Sequence, residues 1–181
     1  MPITTLDPTT ALVVIDLQRG IVGLPTIHPM ADVLGNAVSL VKAFRRRELP
    51  VVLVNVAGVA PGRTEQKRTH NFPPNWTELV PELEQQPSDL VVTKYTAGAF
   101  YGTSLDMQLR RRGVTQIVLC GVSTTSGVES TARSAYEHGY NVTLVIDAMT
   151  DMSREAHDNS VQRIFPKIGE TGTTADVLAR M

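Results

Sequence analysis

Three places in this sequence set chemistry-bearing residues at the ends of apolar runs. Asp16 closes the run 11–15, Ala-Leu-Val-Val-Ile, and is followed by Leu17 and Gln18. Lys94 closes a second run, Leu90-Val91-Val92-Thr93. The third place is 120–132, CGVSTTSGVESTA, which follows Gln116-Ile117-Val118-Leu119 and opens a helical pattern. A carboxylate beside an ammonium stays ionisable and can move protons. A turn of small residues at a helix start lets backbone N–H groups approach a ligand at the positive end of the helix. Such a set normally serves a thiol acidified at the helix start. No cysteine stands inside this cradle. The chain's single cysteine, Cys120, sits at the end of the preceding run, and its expected role is that of a small buried hydrophobe.

The elements that must position these groups follow from the apolar patterns. Continuous apolar runs predict buried strands at 11–15, 51–56, 90–93, 116–119 and 141–146, the last ending in Asp147, with a short strand at 167–169. Helical spacing predicts helices at 31–47, 105–112, about 126–138, from Ser153 to about 165, and 173–180. Strand and helix alternate throughout. The fold class is therefore α/β: a doubly wound, six-stranded, mostly parallel sheet with helices on both faces, a Rossmann-like three-layer sandwich. In open α/β sheets ligands bind at the carboxyl ends of strands. If strands one, three and four are neighbours, Asp16, Lys94 and the 121–127 turn converge on one rim. The long polar stretch 57–77 predicts a lid, a binding loop or an interface. It carries Arg63, Lys67, Arg68, His70 and the only tryptophan, Trp76. Its cations suit an acidic small molecule. Phe100 and Tyr101 are expected to help wall the pocket.

With 181 residues, 42% of them hydrophobic, the chain has the size and core of one domain, 1–181. A formal net charge of −1 gives no reason to expect nucleic acid or a membrane surface as partner. One cysteine excludes an intramolecular disulfide. The first ten residues do not read as a signal peptide, and no apolar stretch nears the roughly 18 residues of a membrane span. A cytoplasmic protein is the expectation. The histidines, His28, His70, His138 and His157, show no metal-ligand spacing. His138 and His157 are expected on solvated helix ends or surfaces.

ALVVIDLQ with Asp16, VVTKYTAGAFYGTSL with Lys94, GVSTTSGVESTARSAYEHGYNV and the late DAMTDMS occur together. In this combination the chain resembles the isochorismatase-like hydrolase superfamily over nearly its whole length. That family includes nicotinamidases, carbamoylases and isochorismatases. In its cysteine hydrolases the signature turn reads like GVxTNxCVxxTA, and the cysteine of that pattern falls here on Gly127. The family's Asp, Lys and Cys survive only as Asp16 and Lys94. The resemblance thus implies the subgroup with glycine in place of the catalytic cysteine. Isochorismatases of the family also carry glycine there and cleave a vinyl ether without a covalent nucleophile. By that likeness Asp16 is the acid that protonates the enolpyruvyl carbon, and Lys94 tunes Asp16 and helps hold a charged substrate.

The family also implies a non-proline cis peptide at Val122–Ser123, aiming the N–H groups of Ser123 and Gly127 into the pocket. With no thiolate present, those donors suit a substrate carboxylate. The expected site is then Asp16, Lys94 and Gly127 for catalysis, with Gln18, Trp76, Phe100, Tyr101, Val122, Ser123 and Thr125 around the substrate. No cofactor and no metal are expected, since the Asp/His cluster of nicotinamidases has no counterpart here. The resemblance further implies a homo-oligomer, a dimer or larger. Two other readings stand beside this one: a catalytically silent binding or scaffold member, and an amidase-type hydrolase using another nucleophile such as Cys120.

Overall fold

The computed structural model describes residues 3–65 and 72–181. Six parallel strands form one sheet: β1 (Thr10–Ile15), β2 (Val51–Val56), β3 (Leu90–Lys94), β4 (Gln116–Val122), β5 (Asn141–Thr150) and β6 (Glu170–Gly172). Their order across the sheet is β3-β2-β1-β4-β5-β6. The chain winds outward from β1 to β3, then returns to place β4 on the other side of β1. The strand order therefore reverses between β1 and β4, which is where doubly wound sheets open a crevice. β1 and β4 run in register from Thr10↔Gln116 to Ile15↔Gly121. Asp16 and the signature turn leave the sheet side by side.

The helices are α1 (Arg19–Val22), α2 (Met30–Arg46), α3 (Leu105–Arg111), α4 (Glu129–Glu137), α5 (Arg154–Asn159) and α6 (Thr174–Leu178). Period-two alternation sorts each central strand between two cores. Val13, Ile15, Ile117 and Leu119 pack with Leu105, Leu109, Val128, Ala132 and Ala135, under α3 and α4. Leu12, Val14, Val118 and Cys120 face the other way, onto Ala37, Leu40, Val41 and Phe44 of α2 and Val177 of α6. Every residue of β1 is buried. At about 1.5–3 kcal/mol for each large apolar side chain buried, these two layers are the main favourable term holding the sheet.

Several predicted boundaries shift. The segment between β1 and α2, for which no helix was expected, contains the short helix α1. β5 continues past residue 146 to Thr150, so Asp147 lies within the strand and not at its end. The extension follows a register irregularity in the β4 pairing between Leu119 and Gly121. Asp147 instead accepts from the Thr174 N–H at 2.7 Å and fixes the start of α6. The last strand is 170–172 and not 167–169. Pro166 places residues 165–167 in a single 3₁₀ turn, and pairing with β5 begins only at Glu170. The helix expected at 126–138 starts as a π-helical turn, Thr124–Val128, before α4. The helix from Ser153 likewise turns π-helical over Ser160–Ile164. Ser153 caps α5, its Oγ accepting from the Ala156 N–H at 3.2 Å. Among the described residues, no helix is long and apolar enough to cross a membrane.

Candidate active site

Strand β1 ends in an abrupt change of direction. Asp16 has φ +51°, a left-handed conformation that non-glycine residues seldom adopt outside constrained sites. Its N–H still donates to Val54 O at 2.9 Å, and its carbonyl accepts from the Gln18 N–H at 2.9 Å. The carboxyl is thereby turned inward, and the residue is 5% exposed.

Lys94 comes from β3, two strands away. β2 separates β1 from β3, so the expected neighbouring of strands one and three does not hold. Across two strand spacings, about 10 Å, the long lysine side chain closes the gap. Its Nζ donates to Asp16 Oδ2 at 2.8 Å and to Thr96 O at 3.3 Å. Both side chains are buried. Removal from water pushes the Asp16 carboxyl up to about 6, and the adjacent Lys94 charge and hydrogen bond only partly oppose this. Asp16 Oδ1 has no hydrogen-bond partner, the one such buried side-chain oxygen or nitrogen among the described residues. A buried carboxyl oxygen without a protein partner is available to a ligand.

The signature turn supplies the facing wall. Gly121 has φ +116°, and a Cβ there would fall 2.0 Å from Ile15 O, so only glycine lets β4 approach β1 this closely. The Val122–Ser123 peptide is cis, as expected. Ser123 O then accepts from the Ser126 and Val128 N–H groups at 3.2 and 3.1 Å, closing the π-helical turn. Gly127 lies on that turn. An ideal Cβ on it would lie 3.2 Å from Asp16 Oδ2. Asp16, Lys94 and Gly127 are therefore one cluster.

The other expected site residues separate into groups. Val122 is buried beneath the turn, and Ser123 is half-buried on it. Gln18 is fully buried and spends its whole amide on the protein. Its Nε2 donates to Val56 O and Trp76 O at 3.0 Å each, and its Oε1 accepts from the Val56 N–H at 2.7 Å. It ties the ends of β1 and β2 to the segment carrying Trp76, so its place is structural and not against a ligand. Trp76 is half-buried, stacked on Phe72 at 4.4 Å between ring centroids, and lies over Gly20. Thr125 is also occupied, its N–H and Oγ1 donating to Asp151 Oδ2 at 2.8 and 2.7 Å.

Phe100 and Tyr101 do not reach the rim. The segment after β3 runs along α4, with Gly98 against Ser130, and brings Phe100 onto His138 and Tyr140 at the far end of that helix. Nine helical residues carry it about 13 Å from the signature turn. Tyr101 is 79% exposed. Cys120 points into the α2 side of the core. Burial pushes its thiol up to about 12, which leaves no thiolate near the cluster. Lys67, Arg68 and His70 lie outside the described residues.

Two supports of the turn escaped the sequence reading. Asp151 is buried just beyond β5, where its carboxylate also accepts from the Met152 N–H at 2.8 Å. His157, expected at a solvated surface, is buried instead. Its Nδ1 pairs with Thr124 Oγ1 at 2.8 Å, and its ring meets His28 edge-on at 5.0 Å. Desolvation and the neighbouring His28 lower the His157 pKa. The only sequence signal for Asp151 was the DAMTDMS segment itself, and His157 lies beyond that segment. His138 is exposed at the end of α4, as expected. Among the described residues, no group of three or more His, Cys, Asp or Glu could hold a metal ion.

The chain is similar to known proteins over nearly its whole length. A family model described as the isochorismatase domain matches residues 10–176. The uncharacterised isochorismatase family protein YwoC of Bacillus subtilis is 44% identical over 95% of this chain and 94% of its own length. A protein of Pseudomonas chlororaphis named probable isochorismatase is 27% identical over 96% of this chain and 87% of its own. The solved structure of an isochorismatase family protein from Burkholderia thailandensis superposes with a TM-score of 0.93 at 48% identity, covering 97% of each chain.

Proposed function

We propose, from the premise that this chain belongs to the isochorismatase family of hydrolases, that it hydrolyses a small anionic or polar molecule without a covalent thioester. Isochorismate is the first substrate to test, and Asp16 is the general acid. One observation carries this reading: the buried Asp16 carboxyl, raised to about 6 and with Oδ1 open, faces a glycine where a nucleophile would stand.

An acid with a pKa near 6 is still partly protonated at neutral pH, which suits proton transfer to carbon. Asp16 gives its proton to the terminal methylene of the enolpyruvyl group. The C=C electron pair forms the new C–H bond and leaves an oxocarbenium ion. Water adds to that cation and returns one proton to Asp16. The resulting hemiketal collapses to pyruvate and the ring alcohol. The Lys94 ammonium stabilises the Asp16 carboxylate that forms at the first step. The N–H groups of Ser123 and Gly127 are the donors proposed for a substrate carboxylate, since those of Thr125 and Ser126 are taken by Asp151 and Ser123 O.

The test is release of pyruvate from isochorismate by the parent protein and by Asp16→Asn. The parent turns over, and the variant loses roughly a thousandfold or more in kcat while keeping its fold. Equal rates in the two proteins would remove Asp16 from the proton-transfer step. No turnover in either would remove isochorismate and favour a catalytically silent member.

A further inference from the structure

Gly127 is not required by its backbone. Its φ lies outside the left-handed range that marks Gly102, Gly113, Gly121 and Gly139. The surrounding space is what requires it. A Cβ at 127 would stand 2.7 Å from Ile15 Cγ2, closer than real Cβ atoms approach a neighbour, and 3.2 and 3.3 Å from Asp16 Oδ2 and Val122 O. The nearest of the three obstacles is a branch methyl and not the end of a flexible chain.

Ile15 cannot yield easily. It is fully buried, and β-branching restricts its χ1. Its backbone is pressed against Gly121, where an added Cβ would meet Ile15 O at 2.0 Å and Ile15 N at 2.6 Å. The same residue is registered between Val54 of β2 and Gly121 of β4. The methyl therefore fills the volume in which the first side-chain atom of a nucleophile would sit. On the other side of that volume lies the acid.

We propose that Ile15 disfavours a covalent nucleophile at this site: its Cγ2 methyl makes any side chain at position 127 costly and leaves proton transfer and water as the route open to a substrate. The reaction-class half of this statement rests on the function proposed above. The packing half stands on geometry alone, so its test needs no substrate.

The experiment is a thermal double-mutant cycle read by Tm. Gly127→Ala is made in the parent, in Ile15→Ala and in Ile15→Leu. Leucine keeps the volume but carries no branch at Cβ, which guards against failure of the smaller variant to fold. In the parent, Gly127→Ala lowers Tm by roughly 5 °C, as expected of overpacking in a rigid site. In Ile15→Ala and Ile15→Leu the same change leaves Tm within about 1 °C or raises it, because alanine is otherwise the better helical residue. An unchanged Tm on Gly127→Ala in the parent overturns the proposal. So does an equal fall in all three backgrounds, which would assign the obstruction to Asp16 or to the Val122 carbonyl. Failure of the isochorismate assay leaves this readout untouched, so the two ideas fail separately.

Discussion

Asp16 carries two opposed influences at one atom group. Burial favours its neutral form, and Lys94 at 2.8 Å favours its charge; burial prevails, leaving the carboxyl at about 6. The sign of this balance decides the pH dependence of turnover. If Asp16 must be protonated to act, kcat/KM is flat below pH 6 and falls about tenfold per unit above it. If it acts as a base, the profile rises through the same range instead. A kcat/KM profile from pH 5 to 8 on whichever substrate turns over distinguishes the two roles. Residue types and strand-end positions made Asp16 and Lys94 legible in the sequence. The open Oδ1 and the raised pKa were not legible, because both depend on how completely the neighbouring elements exclude water.

The signature turn is held at two points by elements far along the chain. Asp151, beyond β5, takes both donors of Thr125, while His157 of α5 pairs with the hydroxyl of Thr124. These ties fix the π-helical turn and with it the distance between Gly127 and Asp16. Thr125→Val removes the hydroxyl donor while the N–H contact remains, leaving a buried carboxylate less well satisfied. The expected cost is about 1–3 kcal/mol of stability, read as a lower midpoint in urea, with kcat reduced as the turn loosens. An unchanged midpoint would show that Asp151 does not anchor the turn. Apolar runs located the first five strands within a few residues, because a buried parallel strand writes its own pattern. The π-helical turn, the extension of β5 and the true place of β6 carry no local pattern. They follow from pairing with distant partners, as does the role of Gln18, whose amide is satisfied by Val56 and Trp76.

At the scale of the whole molecule, strand order converts three separate motifs into one site. The reversal between β1 and β4 sets Asp16 beside the turn, and β2 lies under the reach of Lys94. Alternation of strand and helix predicted the doubly wound sheet. It did not predict that β3 stands at the edge, because crossover patterns alone do not rank strands. The same arrangement buries an ionisable pair in the sheet's crevice, and this carries a cost for the fold. The native Asp16 pKa, about 6, exceeds its ordinary value of 3.8. Between those values the folded chain binds more protons than the unfolded chain, so this group's contribution falls as pH rises. The contribution is fully present below pH 3.8 and lost above about 6. Asp16→Asn has no such titration. Parent and variant compared by thermal melting from pH 4 to 7 should therefore diverge, with the parent losing ground steadily up to pH 6 and no further beyond it. Parallel pH profiles would mean that Asp16 is ionised throughout this range in the folded protein, and the general-acid role would lose its physical basis.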